Sequence, residues 1–373
     1  MKTQIWKIDP EKIDLNKIRK AAGLVDEGQL VGFPTETVYG IACRVKENCL
    51  ALLNRLKSRP ADKFYTLHIG RLTDLKKYVP SITLRAKKLV DKYWPGPLTI
   101  IFELNENDIK RQKRIIETDV FDTLYKSNSI GIRYPDNPVA LALLQHIENP
   151  VVAPSANTTG QQPAIEASQV FAAFSGQIPL ILDGGPCRYK TSSTVVKIGK
   201  NNLQVLREGV FSKAQIEEFS TVQLLFVCTG NSCRSPMAEG FCKKYLAEKL
   251  NCTVDQLRKK GYKTLSAGTM GIIGLAASSE AIAACAAMGI DITKHRSTGL
   301  TKELIENSDI IFAMTNGHLH DVLELAPQAK DKCFLLAKQR EIADPIGQGQ
   351  KVYFESAQLI RSAVKERIEE LNL

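Results

Sequence analysis

The stretch Val227-Cys228-Thr229-Gly230-Asn231-Ser232-Cys233-Arg234-Ser235-Pro236 decides how the second half of this chain folds. Ahead of it runs Leu224-Leu225-Phe226-Val227, an apolar segment short enough for a buried strand. Behind it Ser235 is placed to cap a helix and Pro236 suits the first turn, with Met237, Phe241 and Tyr245 spaced along one face. A strand that turns tightly into a helix leaves several backbone N–H groups converging at the positive helix end, which makes an anion site. A Cys at the start of that loop becomes a nucleophile, and an Arg at its close offers a planar fork to two phosphoryl oxygens. Cys228 and Arg234, with Thr229, Gly230, Asn231, Ser232 and Cys233 between them, therefore predict phosphoryl transfer through sulfur.

The chain has 373 residues, more than one ordinary core accommodates, so two domains are expected. The boundary is placed near Ser220–Gln223, giving domains 1–220 and 221–373. No run of eighteen apolar residues occurs, and the first residues lack a signal-peptide core, so a cytoplasmic protein without a membrane partner is expected. The nine cysteines are scattered, with no Cys-x-x-Cys pair, which argues against zinc and against a secreted disulfide framework. The net charge of +10 is uneven. Residues 1–220 carry 31 Lys and Arg against 23 Asp and Glu, whereas residues 221–373 carry 19 against 17. A basic first half suits ATP, RNA or both, and equally a merely soluble basic surface.

Within that first half the pattern alternates between helix and strand. Residues 13–27, 50–56, 84–94, 139–146, 164–174 and 212–219 read as helices, separated by short apolar strands. Residues 193–198 and 203–206 flank Asn201-Asn202 as a hairpin. Residues 105–128 are charged and aperiodic and read as an exposed insertion. Lys57 and Arg59 stand two apart at a helix end, where they would project cations together toward a triphosphate. Ser155 and Asn157 follow a strand, where a hydroxyl and an amide can hold a carboxylate or a phosphate. Each signal alone is also what a solvated face or an ordinary turn looks like.

Taken as ensembles, these residues resemble two known families. Pro34-Thr35-Glu36-Thr37-Val38-Tyr39-Gly40, Lys57-x-Arg59-Pro60, Trp94-Pro95-Gly96-Pro97-Leu98-Thr99, Gly131-Ile132-Arg133-Tyr134-Pro135, Ala153-Pro154-Ser155-Ala156-Asn157, Ser193-Thr194-Val195-Val196 and Leu206-Arg207-Glu208-Gly209 resemble the YrdC/Sua5 family over residues 15–212. The resemblance implies an α/β fold with a basic cavity and synthesis of threonylcarbamoyl-AMP from L-threonine, bicarbonate and ATP, with pyrophosphate released. The product would feed N6-threonylcarbamoylation of adenosine 37 in tRNA. By the family's pattern Thr35, Thr37, His68, Arg133, the backbone at Ala153 and Ser193 hold threonine, with Arg133 on its carboxylate. Lys57, Arg59, Lys63, Ser129, Ser155, Asn157 and Arg207 hold the nucleotide, with Mg²⁺ accompanying the phosphates. Phe64-Tyr65 departs from the family's usual Pro-Leu and is expected to reshape the wall under the nucleotide. The alternative is a non-catalytic RNA- or nucleotide-binding module that has kept the fold.

The second half resembles the low-molecular-weight protein phosphatases, a Rossmann-like α/β fold. The signature loop is followed by Ser266-Ala267-Gly268, His295-Arg296-Ser297, Ala313-Met314-Thr315 and Ala343-Asp344-Pro345. The resemblance implies that Cys228 forms a cysteinyl-phosphate on a phosphoprotein substrate. Arg234 and the loop amides bind its oxygens, Ser235 assists the sulfur, and Asp344 protonates the leaving group and then activates water. Cys233 is either a disulfide partner for Cys228 under oxidation or a buried filler thiol. Ser232, where tyrosine phosphatases carry a branched apolar residue, and Ile346 after Asp-Pro resemble the arginine phosphatases, so phosphoarginine is favoured over phosphotyrosine. Arsenate reduction would use the same loop but needs a close pair of relay cysteines; Cys285 and Cys333 lie far apart in sequence.

Overall fold

A computed structural model describes residues 2–60, 64–200 and 202–371. It divides the chain into two compact units, Met1–Phe219 and Ser220–Leu373. Both are α/β. The strands of the first unit are β1 (Gln4–Lys7), β2 (Val31–Phe33), β3 (Gly40–Arg44), β4 (Thr66–His68), β5 (Leu98–Glu103), β6 (Tyr125–Lys126), β7 (Ser129–Arg133), β8 (Val151–Val152), β9 (Leu180–Asp183), β10 (Thr194–Ile198) and β11 (Leu203–Arg207). They form one mixed sheet in the order β1-β9-β2-β3-β8-β4-β7-β5-β10-β11, with β6 paired to β7. The hairpin of β10 and β11 is antiparallel, while β10 runs parallel to β5.

Helix Leu15–Asp26 presents Ile18, Ala21, Ala22 and Val25 at three- and four-residue spacing and packs with helix Pro138–His146 against Val31, Phe33, Leu180 and Leu182. Asp14 and Asn137 start these two helices by accepting N–H groups of their first turns, and Gly28 follows the first at φ 89°. A second, larger cluster is built on Ile41, Leu53, Leu67, Leu89, Ile100 and Ile132. Each fully buried aliphatic side chain of this kind contributes about 2 kcal/mol over exposure.

Residues 105–128 are mostly exposed, as expected, but they are not irregular. They form helices Glu106–Ile115 and Thr118–Leu124 and then β6, with Gln112, Val120, Phe121, Leu124 and Tyr125 buried. Asn105 caps the first helix by accepting the Asp108 N–H at 2.9 Å. The Phe121 and Tyr125 rings stack at 4.7 Å, and the Tyr125 hydroxyl donates to the Tyr78 carbonyl at 2.8 Å. Two short helices that bury through a few aromatic anchors leave no extended apolar stripe, which is why periodicity misses them.

The second unit has four parallel strands, β12 (Val222–Cys228), β13 (Tyr262–Gly268), β14 (Ile310–Ala313) and β15 (Cys333–Leu335), in the order β13-β12-β14-β15. All seven residues of β12 are buried, as a central parallel strand covered on both faces requires. Leu225, Val227 and Ile311 pack with Ile305, Val322 and Ala326. Helix Arg234–Lys249 follows β12 directly and runs beside the long helix Gln350–Glu370. No helix among the described residues is long and apolar enough to cross a membrane.

Candidate active sites

In the first unit, strand register assembles a cavity. Across β4, β7, β5 and β10 it sets His68 beside Arg133, Arg133 beside Thr99, and Thr99 beside Val195. The turn between β2 and β3 brings Thr35 and Thr37, and the segment after β8 brings Ala153 and Ser155, bridged to Gly40. The result is a cavity of about 220 Å³ lined by these residues with Arg59, Phe64, Tyr65, Ser193 and Arg207. Three guanidinium groups face it, and its described lining contains no carboxylate.

Arg133 is 5% exposed and donates from Nη2 to Glu36 Oε1 at 2.7 Å and to Thr37 Oγ1 at 2.9 Å. Its Nε is buried without a hydrogen-bond partner among the described residues. Thr35 and Thr37 hydroxyls meet at 2.9 Å. His68 Nδ1 lies 3.1 Å from the Thr66 carbonyl, which can only accept, so Nδ1 carries the proton and Nε2 the lone pair. Burial, and then the Arg133 charge, push the His68 pKa down to about 3, so the ring is neutral. Ser193 bonds Thr99 at 3.0 Å and receives Arg207 at its carbonyl, 2.9 Å, and at its hydroxyl, 3.2 Å.

Other expected positions fall differently. Lys57 and Arg59 do not project together: Ser58, the helix C-cap, takes a left-handed φ of 49° and turns the chain between them. Lys57 is buried, with its ammonium on the carbonyls of Ser155 and Asn157, while Arg59 reaches the cavity. The Arg59 guanidinium lies 4.8 Å from the Tyr65 ring centre and donates to the Phe64 carbonyl at 2.7 Å, so Phe64 and Tyr65 form part of this wall. Asn157 does not line the cavity; it accepts the Ser155 hydroxyl at 2.6 Å and braces the loop through Thr158 and Gln161. Ser129 sits at the opposite end of β7 from Arg133, beside Glu103, outside the cavity. Lys63 lies outside the described residues. Sequence reasoning named neither Glu36 nor Thr99 as a site residue, although both stand in motifs it quoted; their places beside Arg133 come from the fold.

In the second unit the loop after β12 closes around Cys228. The carbonyls of Cys228, Thr229, Asn231 and Ser232 are all taken from outside, by Thr269 N, Met270 N, His295 Nε2 and Ser278 N at 2.7–3.1 Å. In a planar trans peptide the N–H points opposite to the C=O, so the loop amides turn to its inner side. Gly268, level with Cys228 on β13, leaves the room this needs: a Cβ there would stand 2.7 Å from the Thr229 carbonyl oxygen. Asn231, at φ 52°, ties the loop by donating to Ser235 Oγ and accepting the Thr298 N–H, both at 2.8 Å.

Ser235 is not the helix cap. The helix starts at Arg234, and the Ser235 hydroxyl is instead 2.9 Å from Cys228 Sγ. Arg234 is buried, donates to the Ile342 carbonyl at 3.0 Å and pairs with Asp344; its Nε has no partner among the described residues. The thiol starts this loop and the guanidinium ends it, the latter paired with the half-open Asp344 carboxylate, and Ser232 is half-buried between them. Cys233 lies 3.3 Å from the Tyr353 hydroxyl and 3.4 Å from Ser278 Oγ. His318, which bonds Thr229 of the loop, also belongs to this site and was missed; the signal was Thr315, a helix cap with His three residues on.

Residues 23–209 match the family described as Telomere recombination, which groups Sua5, YciO and YrdC proteins, and residues 223–373 match Low molecular weight phosphotyrosine protein phosphatase. The chain is 33% identical over 257 residues to the threonylcarbamoyl-AMP synthase of Pyrococcus abyssi, covering 67% of this chain and 72% of that protein. It is 34% identical over 222 residues to the threonylcarbamoyl-AMP synthase of Bacillus subtilis, covering 58% and 61% respectively. The solved structure of a variant P. abyssi Sua5 aligns with a TM-score of 0.51 at 25% identity, over 71% of this chain and 90% of that one.

Proposed function

Because the chain belongs to the Sua5–YciO–YrdC family and carries a low-molecular-weight phosphatase domain in its second half, we propose that it is a bifunctional enzyme: an L-threonylcarbamoyladenylate synthase fused to a cysteine-dependent protein phosphatase. The observation that carries the synthase is the cavity that gathers Thr35, Thr37, His68, Arg133, Ser193, Arg59 and Arg207. Threonine's carboxylate meets Arg133 Nε, and the neutral His68 Nε2 accepts a proton donor of the substrate. Arg59 and Arg207 face the nucleotide phosphates, and Lys57 holds the Ser155–Asn157 loop beneath them. No carboxylate stands in the described lining, so Mg²⁺ would arrive with ATP as its counter-ion and would offset phosphate charge there. The amine of threonine and bicarbonate give a carbamate with loss of water, and a carbamate oxygen attacks the α-phosphorus as pyrophosphate leaves. The protein contributes position and charge. The product is passed to the machinery that modifies tRNA. Threonine-dependent pyrophosphate release tests this reading; a nucleotide-binding module without catalysis gives none.

In the phosphatase, Cys228 Sγ attacks phosphorus while Asp344 protonates the leaving atom; Asp344 then takes a proton from water, which attacks the cysteinyl-phosphate and frees phosphate. Arg234 Nε and the loop amides hold the equatorial oxygens. Ser232 places a small hydroxyl where a branched residue would fit an aromatic ring, and Ile346 leaves no aromatic wall beyond Pro345. Phosphoarginine is therefore the preferred substrate. Ser232→Ile should shift the ratio of phosphoarginine to phosphotyrosine turnover toward phosphotyrosine by roughly tenfold or more; an unchanged ratio removes Ser232 as the selector.

A further inference from the structure

Thr229 Oγ1 lies between two nitrogens, 2.8 Å from His318 Nε2 and 3.1 Å from Arg234 Nη2. A guanidinium only donates, so Thr229 accepts from Arg234 and exchanges its remaining bond with the imidazole. On the other side His318 Nδ1 is 2.8 Å from Thr315 Oγ1, the hydroxyl that caps helix Asn316–Leu325. The residue is 6% exposed. Burial first, and then the Arg234 charge, lower its pKa, against Asp321, Asp344 and Glu341, which act the other way. A neutral imidazole donates from one nitrogen and accepts at the other, so both hydroxyls find a partner and no second cation stands beside Arg234.

We propose that His318 is a positioning residue of the phosphatase: acting through Thr229, it fixes the guanidinium of Arg234 so that Nε faces the phosphoryl group over Cys228 Sγ. The proposal rests on the reading of Cys228 as nucleophile and Arg234 as phosphate ligand. A side chain on helix Asn316–Leu325 thereby orients the phosphate ligand on helix Arg234–Lys249, through a hydroxyl of the loop itself.

The test uses the full chain with para-nitrophenyl phosphate as substrate and inorganic phosphate as competitive inhibitor. His318→Ala and Thr229→Val should each lower kcat/KM and weaken phosphate inhibition by roughly tenfold, and the double variant should lose no more than the worse single. His318→Gln, whose amide can reach Thr229, should recover most of the loss. Losses that multiply in the double variant, or His318→Ala kinetics equal to wild type, overturn the proposal. If His318→Ala does not fold, His318→Gln and Thr229→Val still decide it: Thr229→Val with unchanged phosphate inhibition overturns it. Cys228→Ser separates the two levels, since hydrolysis surviving that change removes the nucleophile reading itself.

Discussion

His68 is buried beside a guanidinium that already has a carboxylate partner, and this sets its chemistry. Its folded pKa, about 3, lies below the unfolded value near 6.5, so below pH 6.5 the unfolded chain binds the proton that the folded chain refuses. Stability from this group is therefore complete above pH 6.5 and falls as pH drops through the window from 6.5 to 3. Between pH 6.5 and 5 the loss should be about 1–2 kcal/mol. The two tryptophans, Trp6 and Trp94, both lie in the first unit, so denaturant unfolding followed by their fluorescence reports that unit. His68→Gln should flatten the slope in this window; an unchanged slope would assign it to carboxylates. At this scale Cys228, Arg234 and Ser235 were legible because one continuous loop spells them out. Glu36 and His318 were not, because their importance comes from partners about ninety residues or more away in sequence, Arg133 for one and Thr229 for the other. Ser129 misled for the matching reason: it shares a strand with Arg133 but stands at the strand's other end.

Elements carry the site by their ends. Cys228 and Gly268 terminate neighbouring parallel strands in register, and the loop after β12 crosses the space that Gly268 leaves empty. A methyl at Gly268 would stand 2.7–2.9 Å from Thr229, Gly230 and Asn231 backbone atoms, so the loop itself must move. Gly268→Ala should destabilise the second unit by about 1–3 kcal/mol and cut para-nitrophenyl phosphate turnover by at least roughly tenfold. Wild-type turnover would mean that the loop tolerates displacement and that its amides are not held in place. Strand and helix identities were largely readable from apolar spacing, β12 most clearly. The spacing of Lys57 and Arg59 was misread because a left-handed residue between them reverses what helical geometry would project. The helices of residues 105–128 escaped because they bury through Phe121 and Tyr125 rather than through a repeating face.

At the scale of the molecule, two α/β units each gather their own candidate reacting groups. The cation excess of the first unit has a local counterpart in the three arginines that face its cavity, and the nearly balanced second unit confines its key charges to Arg234 and Asp344. Length suggested two domains, but neither length nor charge says what each one binds; the proposal for each rests on residues brought together across β4, β7, β5 and β10 in one unit and around one loop in the other. The central claim, that two independent chemistries share this chain, is tested most directly by pyrophosphate release from ATP and bicarbonate, with and without L-threonine, on wild type and Arg207→Ala. The account predicts threonine-dependent release in wild type, lost by at least roughly a hundredfold in the variant, with hydrolysis of para-nitrophenyl phosphate unchanged. Release that ignores threonine, or none at all while the phosphatase works, would contradict it.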